Sequence, residues 1–277
     1  QKQAIIHHAV TRGLDPNVRL KPSGVEWLGD VPWHWRMLRL RNVVRMLVSN
    51  IDKHTKENEN TVRLCNYVDV YNNERITDKL SFMPASASTE EIAHFTLRVG
   101  DVVITKDSED WNDIGVPSLV EYSAPDLVCG YHLAILRPRV GVLGEYLLRV
   151  LQSPSIASQF HVAANGVTRY GLSHVAIKGV SVPVPPLPEQ TAIVRYIDDA
   201  TTNTHATIER FQREIALLRE YRTRLFADVV TGKLDARAAA ASLPEEAELE
   251  DIEAPTEEEV SEEADLEPPI AETVDED

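Results

Sequence analysis

Val182-Pro183-Val184-Pro185-Pro186-Leu187-Pro188-Glu189-Gln190 opens directly into a run reaching Thr231 that holds neither proline nor glycine. Proline is tolerated in the first helical turn, where its missing N–H would be unpaired anyway, and Glu189 suits the positive end of the helix dipole. The spacing therefore predicts a long helix. Ile193, Ile197, Ala200, Ile208, Phe211, Ile215, Leu218, Leu225 and Val229 recur at steps of three, four and their sums, which lays one apolar stripe along it. At 1.5 Å per residue, about 42 residues make a rod of roughly 60 Å, longer than a small domain is wide. Such a rod projects and needs a partner; Thr201, Thr204 and Thr207 break the stripe, which argues against a perfect two-stranded zipper. An amphipathic helix packed on its own domain is the plainer alternative.

Outward from this helix, composition sets limits. The 277 residues are 43% apolar, enough for one sizeable core and appendages. No segment approaches 18 uncharged apolar residues and no signal peptide is visible, so the reading is soluble and cytoplasmic, with no membrane partner. Cys65 and Cys129 have no ligand-spaced neighbours, which indicates core thiols and neither zinc nor a disulfide framework.

The net charge of −16 is unevenly placed: 17 of the 44 acidic residues lie between Glu245 and Asp277, leaving 27 against 28 Lys and Arg, a net of +1 elsewhere. The tail, residues 237–277, is expected to be disordered, because it has too few large apolar residues to offset its chain entropy. It reads as a solubility tail, or as a segment that competes with DNA for a basic face.

Residues 1–17 repeat the far end of the long helix. Ala9-Val10-Thr11-Arg12-Gly13-Leu14-Asp15 aligns with Val229-Val230-Thr231-Gly232-Lys233-Leu234-Asp235 at a constant offset of 220. Chain that begins with the end of an element it later contains in full reads as one repeat of a longer head-to-tail arrangement, or as a half-length version. Between the ends, residues 61–70, 101–105, 116–120, 132–136 and 180–184 read as strands, with turns at Gly100 and Gly115. Residues 145–161 have helical spacing interrupted by Pro154. The fold class is therefore α+β: a mixed domain over residues 18–186, the long coiled-coil-type helix over 187–236, and the acidic tail.

No phosphate-binding loop, dinucleotide fingerprint, nucleophile elbow or zinc-protease helix is present, so no catalytic residues, metal or cofactor are indicated. Residues 106–110 read as an exposed charged turn, and His7-His8 as plain surface. What remains are polar, basic and aromatic loops of the kind that contact nucleic acid: Lys53 and Lys56; Thr105, Lys106 and Ser108; and Thr168, Arg169 and Tyr170 within Asn165-Gly166-Val167-Thr168-Arg169-Tyr170-Gly171. Lys and Arg neutralise phosphates, Arg also pairs bidentately with guanine, and a tyrosine ring offers a stacking face. Trp27, Trp33 and Trp35 read as core anchors.

Ser23-Gly24-Val25-Glu26-Trp27-Leu28-Gly29-Asp30-Val31-Pro32-Trp33-His34-Trp35, followed by the Val182 to Gln190 cluster and a helix ending Val230-Thr231-Gly232-Lys233-Leu234-Asp235, resembles the specificity subunit of type I restriction-modification enzymes. The first motif looks like the entry to a target-recognition domain and the second like its exit into the family's spacer helix. The resemblance covers residues 1 to about 236. It implies a non-catalytic, DNA-reading subunit whose partners are double-stranded DNA, modification (methyltransferase) subunits and a restriction (translocase/nuclease) subunit. A full subunit is implied to pair two spacer helices antiparallel, so this chain would need a second specificity half or a homodimer. Methyl transfer and ATP-driven cleavage would belong to the other subunits. The acidic tail departs from the family's usual ending. A docking protein that pairs through its helix and no longer reads DNA is the alternative, and a fused enzyme is a further one for which no residue set is evident.

Overall fold

The computed structural model describes residues 2–233, with the side chains of 203–209 excepted; the acidic tail lies outside the described residues. The chain divides into two units, Gln1–Arg210 and Phe211–Asp277.

The first unit is built on a mixed five-stranded sheet, ordered Val44–Val48, Leu133–Pro138, Val102–Thr105, Pro117–Val120, Arg75–Ile76. Its pairs are antiparallel except the last, which is parallel. Alternation divides the central strands between two cores, as a period of two requires. Val102, Ile104, Ala134 and Leu136 face a core shared with helices Lys2–Arg12, Gly144–Leu151 and Pro154–Ala163. Val103, Leu133 and Ile135 face Cys65, Leu97, Leu127 and Cys129 beneath a three-stranded sheet, ordered Leu127–Cys129, Asn60–Cys65, Met83–Ala87. Both thiols are buried and free, on neighbouring parallel strands in register.

Two local differences from the sequence reading have clear causes. The strand expected over residues 61–70 stops at Cys65, because Asn66 caps a short helix, Tyr67–Tyr71, and Asp69 completes a reciprocal capping box. Of the three tryptophans expected as anchors only Trp35 is buried; Trp27 and Trp33 are about half exposed. Trp35 alone places its indole N–H against a carboxylate, donating to Glu189 Oε1 at 2.9 Å. His34 Nε2 meets the other oxygen of Glu189, also at 2.9 Å. The entry motif and the exit motif, over 150 residues apart in sequence, are thus tied together at one carboxylate, and strand Arg36–Arg39 pairs with Ser181–Val184 just beside it.

The long helix runs Leu187–Val230. Its first part belongs to the first unit's core: Ile193 and Ile197 are fully buried there. Gln190 is fully buried too, its Oε1 accepting from Leu143 N–H and its Nε2 donating to the carbonyls of Gly141 and Pro185, each at 2.9 Å. Arg149 joins three elements, donating at 2.7 Å to both Glu74 and Asp198, while Lys2 bonds the other Glu74 oxygen. Burial pushes the Glu74 carboxyl up, but these cations outweigh it and hold it at about 2.

Helix Lys2–Arg12 is seated in the core through Ile6, Ala9, Val10 and Thr11. His7, expected at plain surface, is half-buried against Ser153 Oγ at 3.0 Å, and burial lowers its pKa. The internal repeat is reproduced in geometry: Thr11 and Thr231 each donate to the carbonyl four residues back at 2.6 Å, and Gly13 and Gly232 follow with φ of 75° and 72°.

Within the second unit, the described helix from Phe211 to Val230 leaves its stripe open. Phe211, Ile215, Leu218, Leu225 and Val229 are all exposed, Leu218 to 66%. Ile208 falls among the side chains not described.

Candidate nucleic-acid interface

Five separate segments converge at one end of the central sheet, held by backbone hydrogen bonds. Tyr131 N–H donates to Ile51, Gly130 N–H to Cys65, Lys106 N–H to His132, and Leu172 N–H to Lys106. Residues 107–108 and 170–171 form a two-stranded ladder, Tyr170 opposite Ser108 and Gly171 opposite Asp107. Gly166 makes the preceding turn possible, since a Cβ there would stand 2.0 Å from the Arg169 carbonyl oxygen.

The polar centre of this end is Asp107. Its Oδ2 accepts from Lys106 Nζ at 2.8 Å and His132 Nδ1 at 2.9 Å, and Arg169 Nη2 lies 3.3 Å from the His132 ring nitrogens. Burial raises the Asp107 carboxyl, and the bonds from Lys106 and His132 outweigh it, keeping it below the ordinary carboxylate range. Around it stand aromatic rings: Tyr67 stacked on Tyr71 at 5.5 Å, and Tyr131 against His132. A cavity of about 240 Å³ opens between Lys53, Asn66, Tyr67, Tyr131 and His132. Arg169 lines a second, with Tyr67, Tyr71 and the carboxylates of the 107–113 loop.

Of the residues singled out from sequence, Lys53, Lys106, Ser108, Arg169 and Tyr170 meet here. Thr168 is exposed on the same loop as Arg169. Ser108 is buried, its hydroxyl against Tyr67 OH at 3.2 Å, and Thr105 is fully buried, donating to the Asp113 carbonyl and accepting from Val116 N–H. Their hydroxyls brace the loop from within. Lys56 sits apart from the cluster, bonded to Glu59 and Ser86, and the Glu59 carboxylate raises its pKa. The charged turn at 106–110 is more structured than an exposed run, since Lys106 and Asp107 pair while partly buried. Asp107 was read only as part of the charged turn, and Tyr67, Tyr131 and His132 were not picked out by sequence; no local spacing links residues 67, 107 and 132.

Rigid aromatic faces, an Arg and two Lys at one sheet end suit stacking and phosphate or base-edge contact. Among the described residues no group of three His, Cys, Asp or Glu could hold a metal, and no helix is long and apolar enough to cross a membrane.

Comparison with known proteins places this geometry in context. The chain is 21% identical over 176 residues to a Methanocaldococcus jannaschii protein that carries the name MjaX type I restriction enzyme specificity subunit, a match over 62% of this chain and 40% of that one. Its fold is similar to a chain from a structure on complex assembly and conformational transition of the type I R-M system, with a TM-score of 0.56, 20% identity, and coverage of 82% of this chain and 50% of that one. An HsdS subunit from Thermoanaerobacter tengcongensis is also similar, at 19% identity and TM-score 0.49 over 76% and 44% of the two chains. No protein-family model matches the chain. The chain thus spans half or less of each of these three proteins.

Proposed function

We propose that this chain is the DNA-recognition part of a type I restriction-modification specificity subunit: residues 18–186 read one half-site, and the long helix scaffolds the modification and restriction subunits and pairs with a second specificity half or a second copy. The observation that carries the reading is the loop cluster around Asp107, on a fold similar over 82% of the chain to one in a type I R-M system. A symmetric pair would favour a palindromic interrupted site, with spacing set by the helices. The chain itself contributes recognition and no chemistry, and it needs no cofactor; methyl transfer and cleavage belong to its partners.

Selection from a randomised duplex pool by the chain bound to its modification subunits tests this. Enrichment of one interrupted motif is expected, and Arg169→Ala should relax preference at one position by about 1–3 kcal/mol while leaving general affinity largely intact. The open apolar stripe from Phe211 onward supports a second reading, a docking protein without DNA selectivity. Helix-dependent capture of modification subunits with no enriched motif would favour it.

A further inference from the structure

Three stretches of the chain, residues 31–51, 127–144 and 153–188, contain no Asp or Glu. The fold weaves them together. Strand Arg36–Arg39 pairs with Ser181–Val184, and Val44–Val48 pairs with Leu133–Pro138. The short helix Leu40–Val43 between them touches helix His174–Gly179. Along these elements the side chains of Arg39, Arg41, Arg45, Arg139 and Lys178 are exposed. Two bonds tie neighbouring cations in pairs, and helix Leu40–Val43 links the pairs along the chain: Arg39 Nη1 donates to the Gly179 carbonyl at 2.6 Å, next to Lys178, and Arg139 Nε to the Val44 carbonyl at 3.2 Å, next to Arg45. Asp101 is taken by Arg137 at 2.7 and 2.8 Å, and none of the five cations forms an ion pair among the described residues.

In a chain that is nearly neutral outside its tail, five exposed, uncompensated cations on adjoining acid-free elements are a strong local asymmetry. The Asp107 cluster and this face stand at opposite ends of strand Leu133–Pro138, between His132 and Arg139. Seven residues at ~3.4 Å separate them by roughly 24 Å, about seven base-pair steps and less than the ~34–36 Å of one DNA turn.

We infer that the Arg41 face is a second DNA contact that grips backbone phosphates of a duplex lying along this strand, beside the half-site read at the Asp107 end. The inference rests on the proposed DNA-reading function and adds where flanking DNA is held. Arginine suits this task, because its planar fork meets phosphate oxygens bidentately. Such contacts set affinity and register and leave base choice to the loops.

The test uses the full chain with its modification subunits and a triple variant, Arg41→Gln/Arg45→Gln/Lys178→Gln, at residues whose side chains make no hydrogen bond among the described residues. Binding is measured against salt on two duplexes, one bearing the selected motif and one scrambled. On both, the triple variant should bind at least about tenfold more weakly at moderate salt, with a slope of log K against log salt shallower by about 2–3. The preference for the motif duplex should stay unchanged. The Arg41→Lys/Arg45→Lys variant, which keeps the charge, should recover most of the slope. Unchanged slopes on both duplexes overturn the inference, and if the face instead retains a peptide of residues 245–277, it belongs to the chain's own acidic tail. Loss of motif preference in the unaltered complex, with the slope difference intact, would count against the half-site reading and leave the phosphate grip standing; no DNA binding at all would sink both.

Discussion

The long helix carries one apolar repeat through two environments. Up to Thr201 the stripe is sealed: Ile193 and Ile197 are fully buried, and Thr201 turns its hydroxyl back to the Ile197 carbonyl. From Phe211 onward the same repeat is exposed, although Leu218 and Phe226 are as apolar as any residue in the buried part. Periodicity therefore states which side of a helix needs cover; what supplies the cover depends on the rest of the chain or on a partner. The sealed part makes the helix a component of the first unit's core. The open part is where we propose a second helix pairs.

The largest effect should come from setting one residue of each part against the other. Ile193→Asp buries an unpaired carboxylate and should cost more than about 4 kcal/mol, enough to abolish the cooperative thermal transition. Leu218→Asp, on the open part, should change that transition by less than about 0.5 kcal/mol yet weaken self-association or capture of modification subunits in sedimentation experiments. If both variants melted alike, the two parts would not differ as described.

Next in size is Arg149, which links Glu74 and Asp198 across the sealed part. Arg149→Met leaves part-exposed Glu74 to Lys2 alone and deprives Asp198 of this cation, and should lose about 1.5–3 kcal/mol in urea denaturation. Acid reports on the same network. Glu74 is held at about 2 against an ordinary 4.5, so its ion pairs contribute stability that is complete above about pH 4.5 and lost as pH falls toward 2. The loss should amount to about 3 kcal/mol, and Glu74→Gln should flatten that part of the stability profile. The smallest effect belongs to the open part, where the exposed Glu220–Arg224 pair one turn apart should give less than about 0.5 kcal/mol when Glu220→Gln removes it.

Much of the architecture was legible because it is locally encoded. The proline cluster marked the helix start, alternation marked the central strands, and Pro154 correctly separated two helices, Gly144–Leu151 and Pro154–Ala163. The helix at Tyr67–Tyr71 was not legible from alternation, since Asn66 and Asp69 impose a cap on residues that suit a strand equally well. The site was legible only in pieces. Lys106 and Arg169 stood out as loop cations, but Asp107 and His132 acquire meaning only when backbone pairing brings residue 107 beside 132 and 171. The acid-free stretches are likewise plain in the sequence, and only the pairing of their strands makes them one face.

The decisive measurement is to express the chain with its cognate modification subunits and map methylated bases across a genome by single-molecule sequencing. Recognition by the domain, with pairing through the open helix, predicts one interrupted motif, palindromic if two copies pair and asymmetric if a different specificity half is the partner. Methyl transfer with no motif, or none that depends on this chain, would contradict it.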